Sequence, residues 1–151
     1  MIEVRRLGEN DIAAFRAMNA IFAEVFDMPE DYAAAQPEDA YVSGWLADPN
    51  NIAILAVQER EPIGALAGFV LPKFEQARSE LYIYDLAVAE RARRRGVATA
   101  MIEEMRRIAR EVGAWTVVVQ ADVFPEDEPA RALYRKLAKE EIMAHHFDIA
   151  P

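Results

Sequence analysis

The sequence contains no cysteine, which excludes disulfides, zinc-thiolate sites and an acyl-cysteine intermediate. It also lacks any apolar run near the ~20 residues that a membrane-spanning helix needs. The first residues, 1–6, do not have the basic and then apolar order of a secretion signal. We therefore expect a soluble, cytoplasmic protein with no membrane partner.

Basic residues are scarce relative to acidic ones, with 17 Lys and Arg against 26 Asp and Glu and a formal net charge of -9. Such a surface repels phosphate backbones, so we expect no nucleic-acid partner. It attracts cationic ligands, although an acidic surface also serves solubility alone. A hydrophobic fraction of 53% and a charged fraction of 28% are typical of one folded domain, which we predict over residues 1–151.

The spacing of apolar residues predicts a mixed α/β domain. Alternating or continuous apolar runs indicate strands at residues 2–7, 52–57, 63–71, 81–88 and 115–120. Apolar residues three and four apart indicate helices at residues 12–28, 38–48, 97–112 and 129–137. Residues 142–149 could supply one or two last strands.

Four arginines lie between residues 91 and 95, after the strand at 81–88 and before a helix that begins at Gly96. A helix N-terminus exposes unpaired N–H groups and a partial positive charge, which favour an anion. Gly96 and Ala98 would let a bulky pyrophosphate approach the backbone, and arginines bind such a group bidentately. The pattern predicts an anion site; a solvated basic loop, or arginines paired with carboxylates, is the alternative.

The spacing Arg93-x-x-Gly96-x-Ala98, between a strand and a long helix, resembles the acetyl-coenzyme A signature of the Gcn5-related N-acetyltransferases. The runs Leu-Pro-Lys-Phe-Glu-Gln at 71–76 and Tyr-Ile-Tyr-Asp-Leu-Ala-Val at 82–88 resemble the type I aminoglycoside 3-N-acetyltransferases, the gentamicin-resistance enzymes. The resemblance implies an α/β fold whose twisted, mostly antiparallel sheet is splayed between strands 4 and 5 and flanked by helices. It also implies a homodimer.

The resemblance further implies acetyl-coenzyme A as the cosubstrate and direct attack of the acceptor amine in a ternary complex. The backbone of the strand at 81–88 would hold the pantetheine arm, and the segment 93–99 would hold the pyrophosphate. The cofactor-binding residues implied in this way are Leu86, Ala87, Val88, Arg93, Arg94, Arg95, Gly96, Val97, Ala98 and Thr99.

Two residues are candidates for the chemistry itself. Asp85 is a charged residue in an otherwise apolar strand, where it needs a partner, and it could bind an ammonium group and then accept its proton. A structural carboxylate, paired with an arginine or with backbone N–H groups, is the alternative.

Tyr134 matches the position where the superfamily often has a tyrosine that protonates the leaving thiolate. With an ordinary tyrosine pKa of about 10, that tyrosine must be acidified by its site or act by hydrogen bonding.

An aminoglycoside carries several ammonium groups, so its site needs several carboxylates. The candidate substrate-binding residues are Glu75, Glu80, Asp85, Asp122, Glu126, Asp127 and Glu128, although a solvated acidic loop also accounts for residues 122–128. We predict no metal site, because His145 and His146 are adjacent and would point to opposite faces of a strand.

The resemblance implies an enzyme that acetylates the 3-amino group of the 2-deoxystreptamine ring in aminoglycosides. An acetyltransferase for another amine (a protein N-terminus, lysine or polyamine) would use the same coenzyme site. A non-catalytic acyl-coenzyme A sensor would bind the coenzyme without releasing a thiol. A purely structural interaction module would not bind it.

Overall fold

The computed structural model describes residues 1–151, and its central feature is one five-stranded sheet in the order β1-β2-β3-β4-β5. The first four strands pair antiparallel, and β4 and β5 pair in parallel. The strands are β1 Ile2–Arg6, β2 Asn51–Gln58, β3 Glu61–Pro72, β4 Ser79–Val88 and β5 Ala114–Val119. The helices are α1 Ile12–Val25, α2 Asp39–Ala47, α3 Val97–Glu111 and α4 Glu128–Leu137. The predicted mixed α/β fold is confirmed.

The chain forms two compact units, residues 1–120 and residues 121–151. The first contains the whole sheet with α1, α2 and α3, and the second contains a 3-10 turn at Pro125–Asp127 and α4. None of the helices combines the length and the apolar composition that crossing a bilayer requires.

No strand follows α4, so the prediction of one or two last strands within residues 142–149 is wrong. A strand needs a neighbour for its backbone hydrogen bonds and a surface against which to bury one face. Residues 138–151 form no helix or strand, and their apolar side chains are exposed. Apolar alternation in the sequence therefore did not suffice to form a strand here.

Helices cover both faces of the sheet in residues 1–120. On one face, α1 and α2 bury a cluster that includes Phe22, Val42 and Leu55. On the other face, α3 buries a stripe at helical spacing: Val97, Met101, Ile102, Met105 and Ile108. Burying each of these large side chains contributes about 1.5–3 kcal/mol.

Two glycines of β3 allow α3 and β4 to approach closely. A Cβ at Gly64 would lie 2.8 Å from Val97 Cγ1, on α3. A Cβ at Gly68 would lie 2.5 Å from the backbone oxygen of Tyr82, a distance that no side chain can accept. The prediction of a bulge or a close backbone approach at these glycines is confirmed.

A β-bulge beside Gly68 decides which way Asp85 points. In the β3–β4 pairing, Ala67 lies opposite Asp85 and Gly68 lies opposite Ile83, so Tyr84 is an extra residue in β4. Strand residues that lie opposite each other share a face of the sheet. Asp85 is therefore on the face of Ala67, which packs against the cluster under α1 and α2. Without the bulge, strict alternation would put Asp85 on the apolar face that α3 covers.

Gly68→Ala tests this arrangement against Gly44→Ala as its control. We expect Gly68→Ala to lower the free energy of unfolding by about 1–3 kcal/mol, because the new methyl group collides with the backbone of β4. Gly44 lies exposed in α2 with nothing within 4 Å of an added Cβ, so Gly44→Ala should raise stability by about 0.5–1 kcal/mol. Urea unfolding measures both, and equal effects in the two variants would contradict the close approach.

Candidate active site

Strands β4 and β5 separate before β4 ends. Their parallel pairing stops at Ile83 and Val119, while β4 continues to Val88 and pairs there with β3 alone. The edge of residues 84–88 that faces away from β3 therefore has no strand partner. Backbone N–H and C=O groups on such an edge are available to an extended ligand. The predicted splay between strands 4 and 5 is confirmed.

The arginine-rich loop connects this end of β4 to α3. Arg93 Nε donates to the carbonyl of Val88 at 3.4 Å, and Arg91 Nη2 donates to the carbonyl of Pro62 at 2.9 Å. The side chains of Arg94 and Arg95 form no hydrogen bond or ion pair with the chain. Two of the four arginines thus fasten the loop, and two keep their guanidinium groups unpaired. Arg91 and Arg95 also line a cavity of about 350 Å³ together with Gln58, Glu59, Glu61, Ile63 and Ala92.

The backbone at the start of α3 has the geometry that an anion site requires. Gly96, at the N-cap, has a left-handed conformation with φ of 81°, and a Cβ there would meet nothing within 4 Å. The N–H of Ala100 bonds to the carbonyl of Gly96, at 2.9 Å. The N–H groups of Val97, Ala98 and Thr99 precede that bond, so they have no partner within the helix. Three N–H groups and two unpaired arginines therefore lie within residues 94–99.

Asp85 lies one residue beyond the bulge and is half-buried. Its Oδ2 accepts a hydrogen bond from the hydroxyl of Tyr32, at 2.6 Å. Desolvation by burial raises the pKa of Asp85 above the ordinary value, and the bond from Tyr32 opposes that rise. No arginine or lysine pairs with Asp85. A raised pKa in a carboxylate with no cation of its own suits a group that binds an ammonium ion and takes its proton.

Sequence reasoning missed Tyr32, which belongs to a single π-helical turn, Glu30–Ala34. Its ring packs at 5.5 Å from that of Phe22 and 5.8 Å from that of Phe26. The tyrosine and Asp85 are 53 residues apart in the sequence. Nothing in the local sequence of the turn pointed to this partner.

Sequence reasoning also missed an aromatic row on the same face of the sheet. The ring of Tyr84 lies 6.0 Å from that of Phe69 and 5.9 Å from that of Tyr82, both edge to face. Trp45 of α2 extends the row, 6.1 Å from Phe69. Tyr84 is 63% exposed, so the row presents an aromatic surface next to Asp85.

Two predicted substrate carboxylates are already paired with cations of the chain. Lys73 Nζ lies 3.3 Å from Glu80 and 3.8 Å from Glu75, and Arg78 lies 3.9 Å from Glu75. The Arg78 guanidinium also stacks 4.3 Å above the ring of Trp115. A cationic ligand at Glu75 or Glu80 would therefore have to compete with these partners.

The remaining predicted carboxylates lie in the second unit. Arg131 binds the carbonyl oxygens of Asp122 and Phe124 and, at 2.8 Å, the carboxylate of Glu128. Glu128 also pairs with Arg135, at 3.4 Å. The carboxylates of Asp122, Glu126 and Asp127 form no ion pair. Among the predicted substrate carboxylates of the second unit, these three are the ones that no arginine neutralises.

Tyr134 is a residue of α4, also in the second unit. Burial raises its pKa, and the charge of Asp127 adds to the rise. A tyrosine with a raised pKa is a poor proton donor to a thiolate, whose own pKa is about 8.5 with cysteine as the reference thiol. Of the two roles considered for Tyr134, hydrogen bonding to the leaving sulfur fits this pKa better than full proton transfer.

The histidines of the C-terminal segment have partners other than a metal. His146 Nε2 lies 3.0 Å from Asp148 Oδ1, and the ring of His145 stacks on that of Phe147. No group of three or more His, Asp or Glu side chains is placed to hold a metal ion.

Residues 15–138 match the Acetyltransferase (GNAT) family. The chain belongs to this family. GNAT enzymes use acetyl-coenzyme A.

Solved structures extend the similarity over the full chain. The aminoglycoside acetyltransferase HMB0005, from an uncultured soil metagenomic sample, is 44% identical, with a TM-score of 0.97 over 100% of this chain and 99% of its own. The aminoglycoside acetyltransferase meta-AAC0020, from an uncultured soil metagenomic sample and in complex with sisomicin, is 27% identical, with a TM-score of 0.84 over 99% and 97%.

A curated relative is more distant. The L-2,4-diaminobutyric acid acetyltransferase of Halalkalibacterium halodurans is 24% identical over 87 residues, or 58% of this chain. The match spans 43% of that protein's length. Among these relatives, the two aminoglycoside acetyltransferases are similar over nearly their whole length.

Proposed function

We propose that this GNAT enzyme transfers the acetyl group of acetyl-coenzyme A to the 3-amino group of the 2-deoxystreptamine ring of gentamicin-type aminoglycosides. The observation that carries the proposal is the half-buried carboxylate of Asp85, without a cation of its own, at the point where β4 leaves β5. The similarity to two aminoglycoside acetyltransferases supports the acceptor class. The choice of the 3-amino position rests on the resemblance of the runs at 71–76 and 82–88 to those of the type I aminoglycoside 3-N-acetyltransferases.

The coenzyme would bind along the free edge of β4 and at the start of α3. Backbone groups of Leu86, Ala87 and Val88 would pair with the pantetheine arm, because no strand of the sheet pairs with that edge. Residues 93–99 would hold the pyrophosphate with unpaired N–H groups and arginines. One N–H of the β4 edge would donate to the thioester oxygen and stabilise the negative charge that develops there.

Asp85 would act on the acceptor. Only a deprotonated amine attacks, so a carboxylate must first bind the ammonium group and then take its proton, directly or through water. The amine nitrogen then bonds to the thioester carbon, and the carbon–sulfur bond breaks with its electron pair leaving on sulfur. The nitrogen loses its second proton, which neutralises the thiolate, so that the products are the amide and the thiol. The Tyr134 hydroxyl would donate a hydrogen bond to that sulfur as its charge develops.

Other carboxylates would hold the remaining ammonium groups of the acceptor. Asp122, Glu126 and Asp127 are suited to this because no cation of the chain pairs with them. Glu75, Glu80 and Glu128 would join after releasing Lys73, Arg78, Arg131 or Arg135. A net charge of -9 would raise the local concentration of such a polycation.

A second candidate is acetylation of a smaller amine, which the match to a diaminobutyric acid acetyltransferase favours. The coenzyme site and Asp85 would serve both reactions. The two functions differ only in how many carboxylates the acceptor engages.

Thiol release with a panel of amines separates these functions. We expect rapid release with gentamicin and sisomicin, and a loss of at least about tenfold in kcat/KM with a gentamicin acetylated beforehand at its 3-amino group. Spermidine, 2,4-diaminobutyrate and lysine peptides should be weak acceptors, because each engages fewer carboxylates. Equal turnover of the blocked gentamicin would contradict the 3-amino position, and a preference for diaminobutyrate would favour the second candidate.

The double substitution Arg94→Ala and Arg95→Ala tests the pyrophosphate site, with Arg110→Ala at the other end of α3 as its control. Each charge-assisted hydrogen bond contributes about 1.5–3 kcal/mol, so the double variant should bind acetyl-coenzyme A at least about tenfold more weakly. Calorimetry should show that the double variant binds gentamicin as the wild type does. It should also show that Arg110→Ala binds acetyl-coenzyme A as the wild type does. A double variant that binds the coenzyme normally would place the pyrophosphate elsewhere.

Asp85→Asn tests the proton acceptor, with Asp27→Asn as a control that makes the same change in charge. Asp27 is exposed, and its left-handed conformation, with φ of 52°, accommodates asparagine. We expect kcat with gentamicin to fall about 10²–10⁴-fold in Asp85→Asn, which is the usual contribution of a general base. Calorimetry should show unchanged coenzyme affinity in Asp85→Asn, and Asp27→Asn should turn over gentamicin as the wild type does. Full turnover in Asp85→Asn would remove this residue from the mechanism.

A further inference from the structure

We propose that Tyr32 is the positioning residue of this active site: its hydroxyl holds Oδ2 of Asp85, so that Oδ1 is the oxygen that takes the proton from the acceptor amine. The proposal rests on the proposed role of Asp85 as the proton acceptor. It adds a residue from the turn between α1 and α2, which carries no part of the coenzyme signature.

The Tyr32 ring is held in place from several sides. It packs against Phe22 and Phe26 of the α1 segment, at ring distances of 5.5 and 5.8 Å. Its backbone is fixed too, since its N–H donates to the carbonyl of Met28 at 3.2 Å and its carbonyl accepts from Gln36 Nε2 at 2.9 Å. A hydroxyl on such a ring offers its hydrogen bond in one direction with little loss of entropy.

The carboxylate of Asp85 has two oxygens in different surroundings. Oδ2 accepts the short bond from Tyr32, whereas Oδ1 accepts no hydrogen bond from the chain. The titratable groups near it are Tyr32 from the turn and Tyr82 and Tyr84 from β4, with Asp31 next to Tyr32. All of these are tyrosines or an acid, so no cation of the chain pairs with Asp85.

The hydroxyl of Tyr32 can act only as a donor in this pair. Burial, the bond to Asp85 and the charge of Asp85 raise the pKa of Tyr32 far above its ordinary value, so the phenol stays protonated at neutral pH and well above it. Donation to the carboxylate favours its ionised form and opposes the effect of burial. Tyr32 therefore both orients the carboxylate and keeps it ionised in a half-buried site.

Tyr32→Phe removes the donor and keeps the ring, and Tyr41→Phe is the matched control, since Tyr41 is 65% exposed on α2. Loss of a hydrogen bond to a charged group should raise the pKa of Asp85 by about one unit. The acid limb of kcat/KM for gentamicin should therefore move up by about one pH unit in Tyr32→Phe. At pH values on the acid side of this limb, kcat/KM of Tyr32→Phe should be about tenfold lower than that of the wild type. Raising the pH should recover most of this loss.

The acetyl-coenzyme A affinity of Tyr32→Phe and the pH profile of Tyr41→Phe should match those of the wild type. A loss of activity in Tyr32→Phe that is the same at every pH would overturn the proposal, because it would indicate a merely structural role. When Tyr32→Phe is added to Asp85→Asn, kcat should not fall below that of Asp85→Asn alone. A further fall in kcat in this double variant would also overturn the proposal.

Carboxyl ¹³C NMR of Asp85 keeps this test separate from the proposed function. We expect its pKa to be about one unit higher in Tyr32→Phe than in the wild type, whether or not gentamicin is the acceptor. An unchanged pKa would overturn the role of Tyr32 even in an active enzyme, whereas a shifted pKa without aminoglycoside turnover would overturn only the acceptor. If Tyr32→Phe does not fold, a slowly exchanging Tyr32 hydroxyl proton in the wild type supports the bond, and its absence overturns it.

Discussion

The extra residue in β4 is the constraint on which the site depends. Tyr84 has no partner in β3, so the alternation of side chains between the two faces of the sheet shifts by one residue in β4. As a result, the side chain of Asp85 points away from α3. A carboxylate on the α3 face would be buried among Met101, Met105 and other apolar side chains, at a cost of several kcal/mol. The bulge instead gives Asp85 a half-buried position and a phenol as its hydrogen-bond donor. Gly68, opposite the bulge, lets the two backbones approach closely enough for this to occur.

The same strand contributes to both halves of the proposed chemistry. Where β4 leaves β5, one edge of its backbone has no strand partner and would bind the coenzyme, and the side chain of Asp85 would bind the acceptor. The loop that follows adds two unpaired arginines, and α3 adds unpaired N–H groups. A chain with a net charge of -9 thus concentrates positive charge over a few residues, where a diphosphate would bind. Carboxylates elsewhere in the chain would attract the polycationic acceptor.

Local patterns in the sequence predicted the strands, the helices and the loop before Gly96, because each depends on neighbouring residues. The predicted C-terminal strands did not form, since alternation at residues 142–149 does not supply the partner that a strand requires. Tyr32 escaped prediction because its bond to Asp85 joins residues 53 positions apart. The aromatic row of Tyr82, Tyr84 and Phe69 escaped it as well, because it depends on the register of β3 and β4, which the bulge changes.

A crystal structure of the dead-end complex with coenzyme A and sisomicin would show directly which groups of the chain hold the acceptor amine and the coenzyme. We predict the 3-amino nitrogen about 2.8–3.2 Å from Asp85 Oδ1, Tyr32 still on Oδ2, and the pantetheine arm along residues 86–88. The pyrophosphate should lie on the N–H groups at the start of α3. An amine held by another carboxylate while Asp85 points away, or a coenzyme bound away from β4, would contradict the account.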